Sequence, residues 1–266
     1  SARQSYLDLI VDKVSLDNAS VETSTPVFSD YLLKYLWEAS RTNNFTLQIR
    51  GANDEIGFDI LPDSDFALQQ PDLVGKTKID STTSAQSLVW SYTPNKTTIN
   101  KLALGRYRTK LTSKYAAAIN DQNITTSSFV RNQLDFISSF SHSSTITWSA
   151  ERKTVSINSD SLNANCTSFD VICDLNSANR LQLSEKFYLD TSAIAISHQW
   201  KINMKSRATF GLRASNDNYL DAQFLEPRLA LRHKTSRHTE WNFGYGEHHQ
   251  QPALEFITPQ VGNPEL

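Results

Sequence analysis

The run Leu225-Glu226-Pro227-Arg228-Leu229-Ala230-Leu231-Arg232 changes character at almost every residue. Leu225, Pro227, Leu229 and Leu231 share one face, and Glu226, Arg228, Ala230 and Arg232 share the other. That is the period of a strand with one apolar and one polar side. The neighbouring stretches repeat it. Phe210, Leu212 and Ala214 alternate with Thr209, Gly211 and Arg213, and Trp241, Phe243 and Tyr245 alternate with Asn242 and Gly244. Stripes of helical period are nearly absent. Tyr31 to Ala39 could pass as a short helix, but its flanks favour a strand.

Working outward, the same period marks about eleven strands, near 5–16, 27–39, 45–54, 81–93, 98–110, 124–139, 145–157, 185–200, 207–217, 223–233 and 239–247. Short connections at 40–44, 94–97, 141–144, 202–206 and 234–237 alternate with longer ones at 17–26, 55–80, 111–123, 158–184 and 218–222. Short, long, short, long is the rhythm of an antiparallel up-and-down barrel. A sandwich would mix its connection lengths, and no fixed repeat suggests a propeller. Strands of roughly ten to sixteen residues exceed the usual ~5–6. They suit a tilted bilayer crossing, for which ~9–11 residues suffice. Trp37, Trp90, Trp148, Trp200 and Trp241 each fall near a short turn, where a membrane-interface girdle would stand. Eleven strands leave two edges, whereas a simple barrel closes on an even number. Residues 1–266 are therefore expected to form part of a transmembrane β-barrel, with further strands outside them.

Composition agrees by exclusion. Lys plus Arg number 26 and Asp plus Glu 28, for a formal net charge of −2 over 266 residues. With a pI near 6.3, the chain lacks the basic surface that phosphate recognition along nucleic acid requires. No run approaches the ~18–20 apolar residues of a membrane helix, and the mean hydropathy of −0.44 is no obstacle to a barrel whose strands alternate. The only cysteines, Cys166 and Cys173, cannot make a zinc site alone. A local disulfide closing a polar loop fits their spacing and an oxidising compartment; two unpaired buried thiols are the alternative.

The C-terminal third carries a resemblance. Phe210-Gly211-Leu212-Arg213, Asn218-Tyr219-Leu220 and Leu225 through Leu231 are similar to the "GLRY… L.PRLGL" strands of TonB-dependent outer-membrane receptors. Phe243-Gly244-Tyr245-Gly246-Glu247-His248-His249-Gln250-Gln251-Pro252 resembles the family's "GYGRYHQ.P" strand end, and Val261-Gly262-Asn263-Pro264-Glu265-Leu266 its "GNP.L" segment. Asp54 through Asp59 and Cys166 through Asp174 look like extracellular-loop pieces. The resemblance implies a 22-stranded barrel around a plug, of which this chain would supply the middle eleven strands. It implies a non-enzymatic receptor and transporter in the bacterial outer membrane, taking up a metal chelate, cofactor or glycan and holding no cofactor of its own. Its partners would be outer-membrane lipid, the rest of the barrel, a plug domain and, where a plug is present, a periplasmic energy-coupling protein. Nothing in the sequence resembles the plug. A barrel segment serving as scaffold or surface-binding component is one alternative; a soluble secreted β protein, such as a lectin-like domain, is the other.

No catalytic set stands out: G-x-S-x-G, P-loop and GxGxxG are absent. Glu247, His248 and His249 invite a metal reading, but adjacent strand residues point to opposite faces, which favours a polar cluster at the rim. His142, His198, His233 and His238 are scattered. Asp54, Glu55, Asp59, Asp63, Asp65, Asp72 and Asp80 read as a solvated acidic loop, with calcium as the functional alternative. Arg106, Arg108, Arg213, Arg228 and Arg232 are expected on polar strand faces lining a lumen, facing a plug or neighbour. No substrate-binding residue is assigned.

Overall fold

The computed structural model describes residues 1–4, 21–62, 74–116, 119–163, 179–252 and 257–258. Among them the elements are all strands: β1 (Ala2–Gln4), β2 (Val21–Glu38), β3 (Asn43–Ile60), β4 (Gly75–Asn95), β5 (Thr98–Tyr115), β6 (Ile119–Ser139), β7 (His142–Asn163), β8 (Asn179–Lys201), β9 (Ser206–Asp217), β10 (Ala222–Lys234) and β11 (Glu240–Gly246). They form one sheet in strict chain order, each strand antiparallel to the next, with β1 and β11 at its edges. The expected eleven-strand meander is therefore present. The expected strand at 5–16 lies outside the described residues, as do Cys166 and Cys173.

The expected rhythm of connections needs a correction at one rim. The short turns, 39–42, 96–97, 140–141, 202–205 and 235–239, lie where the pattern placed them. The long loops shrink, because pairing continues through most of what hydropathy left as loop. Asp59 still faces Lys76, Lys114 faces Asn120, and Asn163 faces Asn179. The connection at 111–123 reduces to the three positions between Tyr115 and Ile119, and that at 218–222 to a turn at 218–221. Ala116 (φ 45°) and Asp221 (φ 48°) take left-handed conformations in them, one an uncommon choice and the other a residue that tolerates αL.

Register separates two faces. One carries Tyr31, Leu33, Tyr35 and Trp37 of β2; Phe45 and Leu47 of β3; Leu88 and Trp90 of β4; and Leu102 and Leu104 of β5. It continues through Val130 and Leu134, Ile146 and Trp148, Ile194 and Ile196, Phe210 and Leu212, Leu225, Leu229 and Leu231, to Trp241, Phe243 and Tyr245. No second sheet of the described residues covers it: Trp241 is 69%, Leu225 60% and Ile194 58% exposed. Among the described residues more than twenty large hydrophobics on this face are exposed, against seven buried hydrophobic residues on the whole sheet and its return segment. A soluble sheet would have packed this surface away, so the soluble-sandwich alternative loses its closed interior. The all-β, up-and-down, partial-barrel expectation stands.

All five tryptophans lie on this face, and the row Trp37, Phe45, Trp90, Tyr92 is stacked along the short-turn rim at centroid separations of 5.2, 6.4 and 5.9 Å. Trp90 donates its indole N–H to Asn43 at 3.0 Å, which keeps the polar edge of an amphipathic ring bonded. Two glycines make room for aromatic rings across the ladder. Gly51 lies opposite Tyr31 and Gly105 opposite Phe129, where an added Cβ would sit 2.6 and 2.5 Å from ring atoms.

Candidate functional site

The second face is the more polar of the two, though it carries Phe28, Leu32, Leu36 and Leu111, and what sets it apart is the chain that folds back across it. β11 leaves the sheet for a local reason. Its last pair is Gly246 with Arg228; the next rung would bond Glu247 and Pro227 in both directions. Glu247 donates its N–H to the Pro227 carbonyl at 3.1 Å, but Pro227 has no N–H to return. The chain then crosses the polar face as a return segment.

Three anchors hold it. Buried Glu226 accepts the His249 backbone N–H at 2.8 Å and the Arg228 guanidinium at 3.1 Å, with Arg213 3.7 Å away. The His249 ring stacks on Phe224 at 4.3 Å. Asp217 accepts the N–H groups of Tyr219 (3.0 Å) and Leu220 (3.2 Å) on one oxygen, fixing the β9–β10 turn, and the Gln251 amide (2.8 Å) on the other. The Tyr219 hydroxyl donates to the Ile257 carbonyl at 2.6 Å. Burial, with Glu185 adding, pushes the Tyr219 phenol above its ordinary range. Ile257 itself seals a small core with Val155, Phe187 and Leu189.

Beneath the segment lies a cavity of about 1100 Å³, walled by β6 to β10 and closed by residues 248–252. Its charged lining is Arg131, Glu151, Arg213 and Arg228, with Asp217 at one end. Glu151 accepts the hydroxyl of fully buried Ser127. Its lining joins guanidiniums, carboxylates and hydroxyls to apolar groups such as Phe129, Ala193, Ala195 and Phe224, so it offers a guest both charged and apolar contacts.

The sequence-expected residues divide. Arg213 and Arg228 converge on Glu226, and Arg232 pairs with Glu240 at 2.5 Å near the short-turn rim. Arg106 and Arg108 do not join them: they share a face with Leu102 and Leu104, so the lumen assignment is corrected. Polarity marks the inner face only within the belt: beyond Leu104 the belt-side positions of β5 are Arg106, Arg108, Lys110, Thr112 and Lys114, while Tyr107, Leu111 and Tyr115 stand on the other face. His249 lies on the return segment and is bound to Glu226; the Glu247 carboxylate accepts the Tyr245 hydroxyl at 3.2 Å. His142 and His198 meet at 3.1 Å on the apolar-belt face, a pairing across β7 and β8 that spacing could not disclose. Of the acidic loop, Asp54, Glu55, Asp59 and Asp80 are strand residues; Asp63, Asp65 and Asp72 lie outside the described residues. Among the described residues no group of three metal-ligating side chains converges. The anchors Glu226, Asp217 and Tyr219 were not picked out from the sequence. Asn216-Asp217-Asn218 carried a turn signal, and a lone Glu between apolar residues carried none.

No protein-family model matches the sequence, and no curated protein sequence matches it. Solved structures do match in fold. A ferric enterobactin receptor from Pseudomonas aeruginosa superimposes with a TM-score of 0.61 at 12% identity, over 89% of this chain and 34% of that one. The outer membrane transporter YddB from Escherichia coli gives 0.55 at 10% identity, over 78% and 29%. The siderophore receptor PirA from Pseudomonas aeruginosa gives 0.53 at 10% identity, over 90% and 42%. The chain thus shares the fold of one portion of these larger proteins and spans about a third of their length.

Proposed function

We propose that residues 1–266 form part of the barrel wall of a bacterial outer-membrane receptor of the TonB-dependent type, which takes up a large scarce solute. The observation that carries the reading is the pair of opposed faces on one open sheet. A continuous apolar face with an aromatic row at its short-turn rim suits lipid; the polar face, spanned by a pinned segment over a charged cavity, suits a lumen. The fold-level likeness to receptors for ferric enterobactin and siderophores supports a metal chelate as the solute, ahead of a cofactor or glycan. Eleven strands are half of a 22-stranded barrel; the remaining strands and a plug, with its periplasmic energy-coupling protein, complete the machine in this reading. Cys166 and Cys173 are proposed to be disulfide-bonded in the connection at the rim facing the cell exterior.

The experiment is uptake by cells carrying or lacking the full gene, starved of iron and supplied with defined ferric chelates. Loss of growth on at least one chelate, restored by the gene, is the expected result. Normal uptake of every chelate, with the protein in the outer membrane, would favour the scaffold or surface-binding role instead.

A further inference from the structure

We propose that His142 and His198 form a two-imidazole site for a divalent transition-metal ion, with Cu(II) held tightest. The site stands on the ladder between β7 and β8 and goes beyond the receptor reading, which gives these side chains no role. In register Ser144 faces His198 and His142 faces Trp200, so the two histidines are diagonal neighbours on one face. Diagonal partners lie within reach of long or aromatic side chains. Here they meet: Nδ1 of His142 lies 3.1 Å from Nε2 of His198, and the rings stack with centroids 5.2 Å apart.

That separation is the bite of a chelate. Two nitrogens each about 2.0–2.1 Å from one ion stand roughly 2.9–3.4 Å apart in right-angled or tetrahedral ligation. Nδ1 of His198 lies 2.9 Å from the Ser144 hydroxyl, and in the tautomer that donates there Nε2 turns its lone pair toward His142. Ligating histidines are held in this way, the second ring nitrogen bonded to an oxygen that fixes tautomer and orientation. The His142 ring is stacked on Trp200 as well, at 6.1 Å with 10° between the planes. The ion takes the place of the one proton between the facing nitrogens. That proton moves through water to Nε2 of His142, and both imidazoles remain neutral.

The surroundings select the metal. On the rungs that carry the pair, the neighbouring strands present Phe136 and Ser139 of β6 and Ala208 and Phe210 of β9. No carboxylate stands among them, so Mg(II) and Ca(II), which require oxygen ligands, are not served. Imidazole suits copper, nickel and zinc, and Cu(II) heads that series in affinity. Both rings are half-buried, which leaves a side open to the waters that complete the coordination. The next rung inward is Ile146 with Ile196, so the two histidines and Ser144 are a polar cluster at the edge of an apolar surface, satisfied through one another.

The test uses tag-free full-length protein in detergent at neutral pH, titrated with the chlorides of copper(II), nickel(II), zinc(II) and magnesium. The expected result is Cu(II) bound with the paramagnetic-resonance splitting of two imidazole nitrogens, nickel and zinc bound more weakly, and magnesium not at all. His142→Gln and His198→Gln should each weaken Cu(II) about tenfold or more, a loss of at least ~1.4 kcal/mol. His238→Gln, in the β10–β11 turn, should stay within twofold. Should the first two variants fail to fold, judged by heat-shifted gel mobility, the unaltered protein still decides. Saturating Cu(II) should then shield His142 and His198 from diethyl pyrocarbonate, read residue by residue by mass spectrometry. Equal Cu(II) affinity in a folded His142→Gln or His198→Gln variant, or both histidines modified as fast with Cu(II) as without it, would overturn the site.

Discussion

Each long strand has two halves that obey different rules. Toward the short turns, β8 places Ile194, Ile196 and Trp200 on one face against Ala195 and Ser197 on the other; toward the opposite rim the same lipid-side face holds Ser184, Lys186 and Asp190. The backbone ladder does not change between them, and pairing from Asn179 to Lys201 is unbroken. Hydropathy thus records where a strand carries the apolar belt, and hydrogen bonding records where it exists. The polar face inverts the contrast: its far half holds the small core of Val155, Phe187, Leu189 and Ile257, beneath the return segment.

The sharpest break of that comparison is a charge moved between halves. Ile194→Arg in the belt should destabilise the membrane-inserted protein by about 2–4 kcal/mol, as a cation near the bilayer midplane does. Thr154→Arg, on the same face above the belt with Thr126 and Tyr188 as its cross-strand neighbours, should be close to neutral. Denaturant unfolding in lipid vesicles measures both, and equal losses would erase the distinction between the halves.

Next in size is the anchor of the return segment. Glu226→Gln keeps shape but removes the charge facing Arg213, Arg228 and the His249 N–H. Its expected local effect is about 1–3 kcal/mol, read as faster hydrogen exchange at residues 247–252 with protection of β8 unchanged. Gly105→Ala should lower global stability by about 1–3 kcal/mol through overpacking, because its Cβ would meet the Phe129 ring at 2.5 Å and the Gln86 carbonyl at 3.1 Å. Gly244→Ala, with nothing within 4 Å, is the matched control and should leave the unfolding midpoint in place.

The smallest effect belongs to the Tyr219 hydroxyl. Tyr219→Phe removes one hydrogen bond to Ile257, about 1 kcal/mol, and should loosen the segment without moving the strands. The phenol's pKa is raised in the folded protein by burial first and by Glu185 second. The folded state therefore holds the proton more tightly than the unfolded chain. Its contribution is complete below the phenol's ordinary titration range and declines as pH rises through the higher folded value. Exchange at residue 258 should accelerate at alkaline pH in the unaltered protein and show no such step in Tyr219→Phe.

By itself the sequence determined ten of the strands, the meander and the apolar face; β1 (Ala2–Gln4) was not expected. Trp241, Phe243 and Tyr245 announce their face because a one-sided apolar surface requires an apolar side chain at every second position, a constraint written in composition. At the short-turn rim its strand ends fall within three residues of the observed ones; at the far rim of β2 to β8 the strands run five or six residues further. There both faces meet water or polar groups, so nothing forces alternation, and Ser, Thr and Asn do not reveal a ladder that only backbone atoms hold together. Tertiary structure alone decided the rest. Arg106 and Arg213 look alike in sequence, yet register puts one outside the wall and the other against Glu226. The convergence of Glu226, Asp217 and Tyr219 on His249, Gln251 and Ile257 depends on the chain leaving the sheet after Gly246, opposite Pro227, and contacts made across a reversal leave no period in the sequence to read.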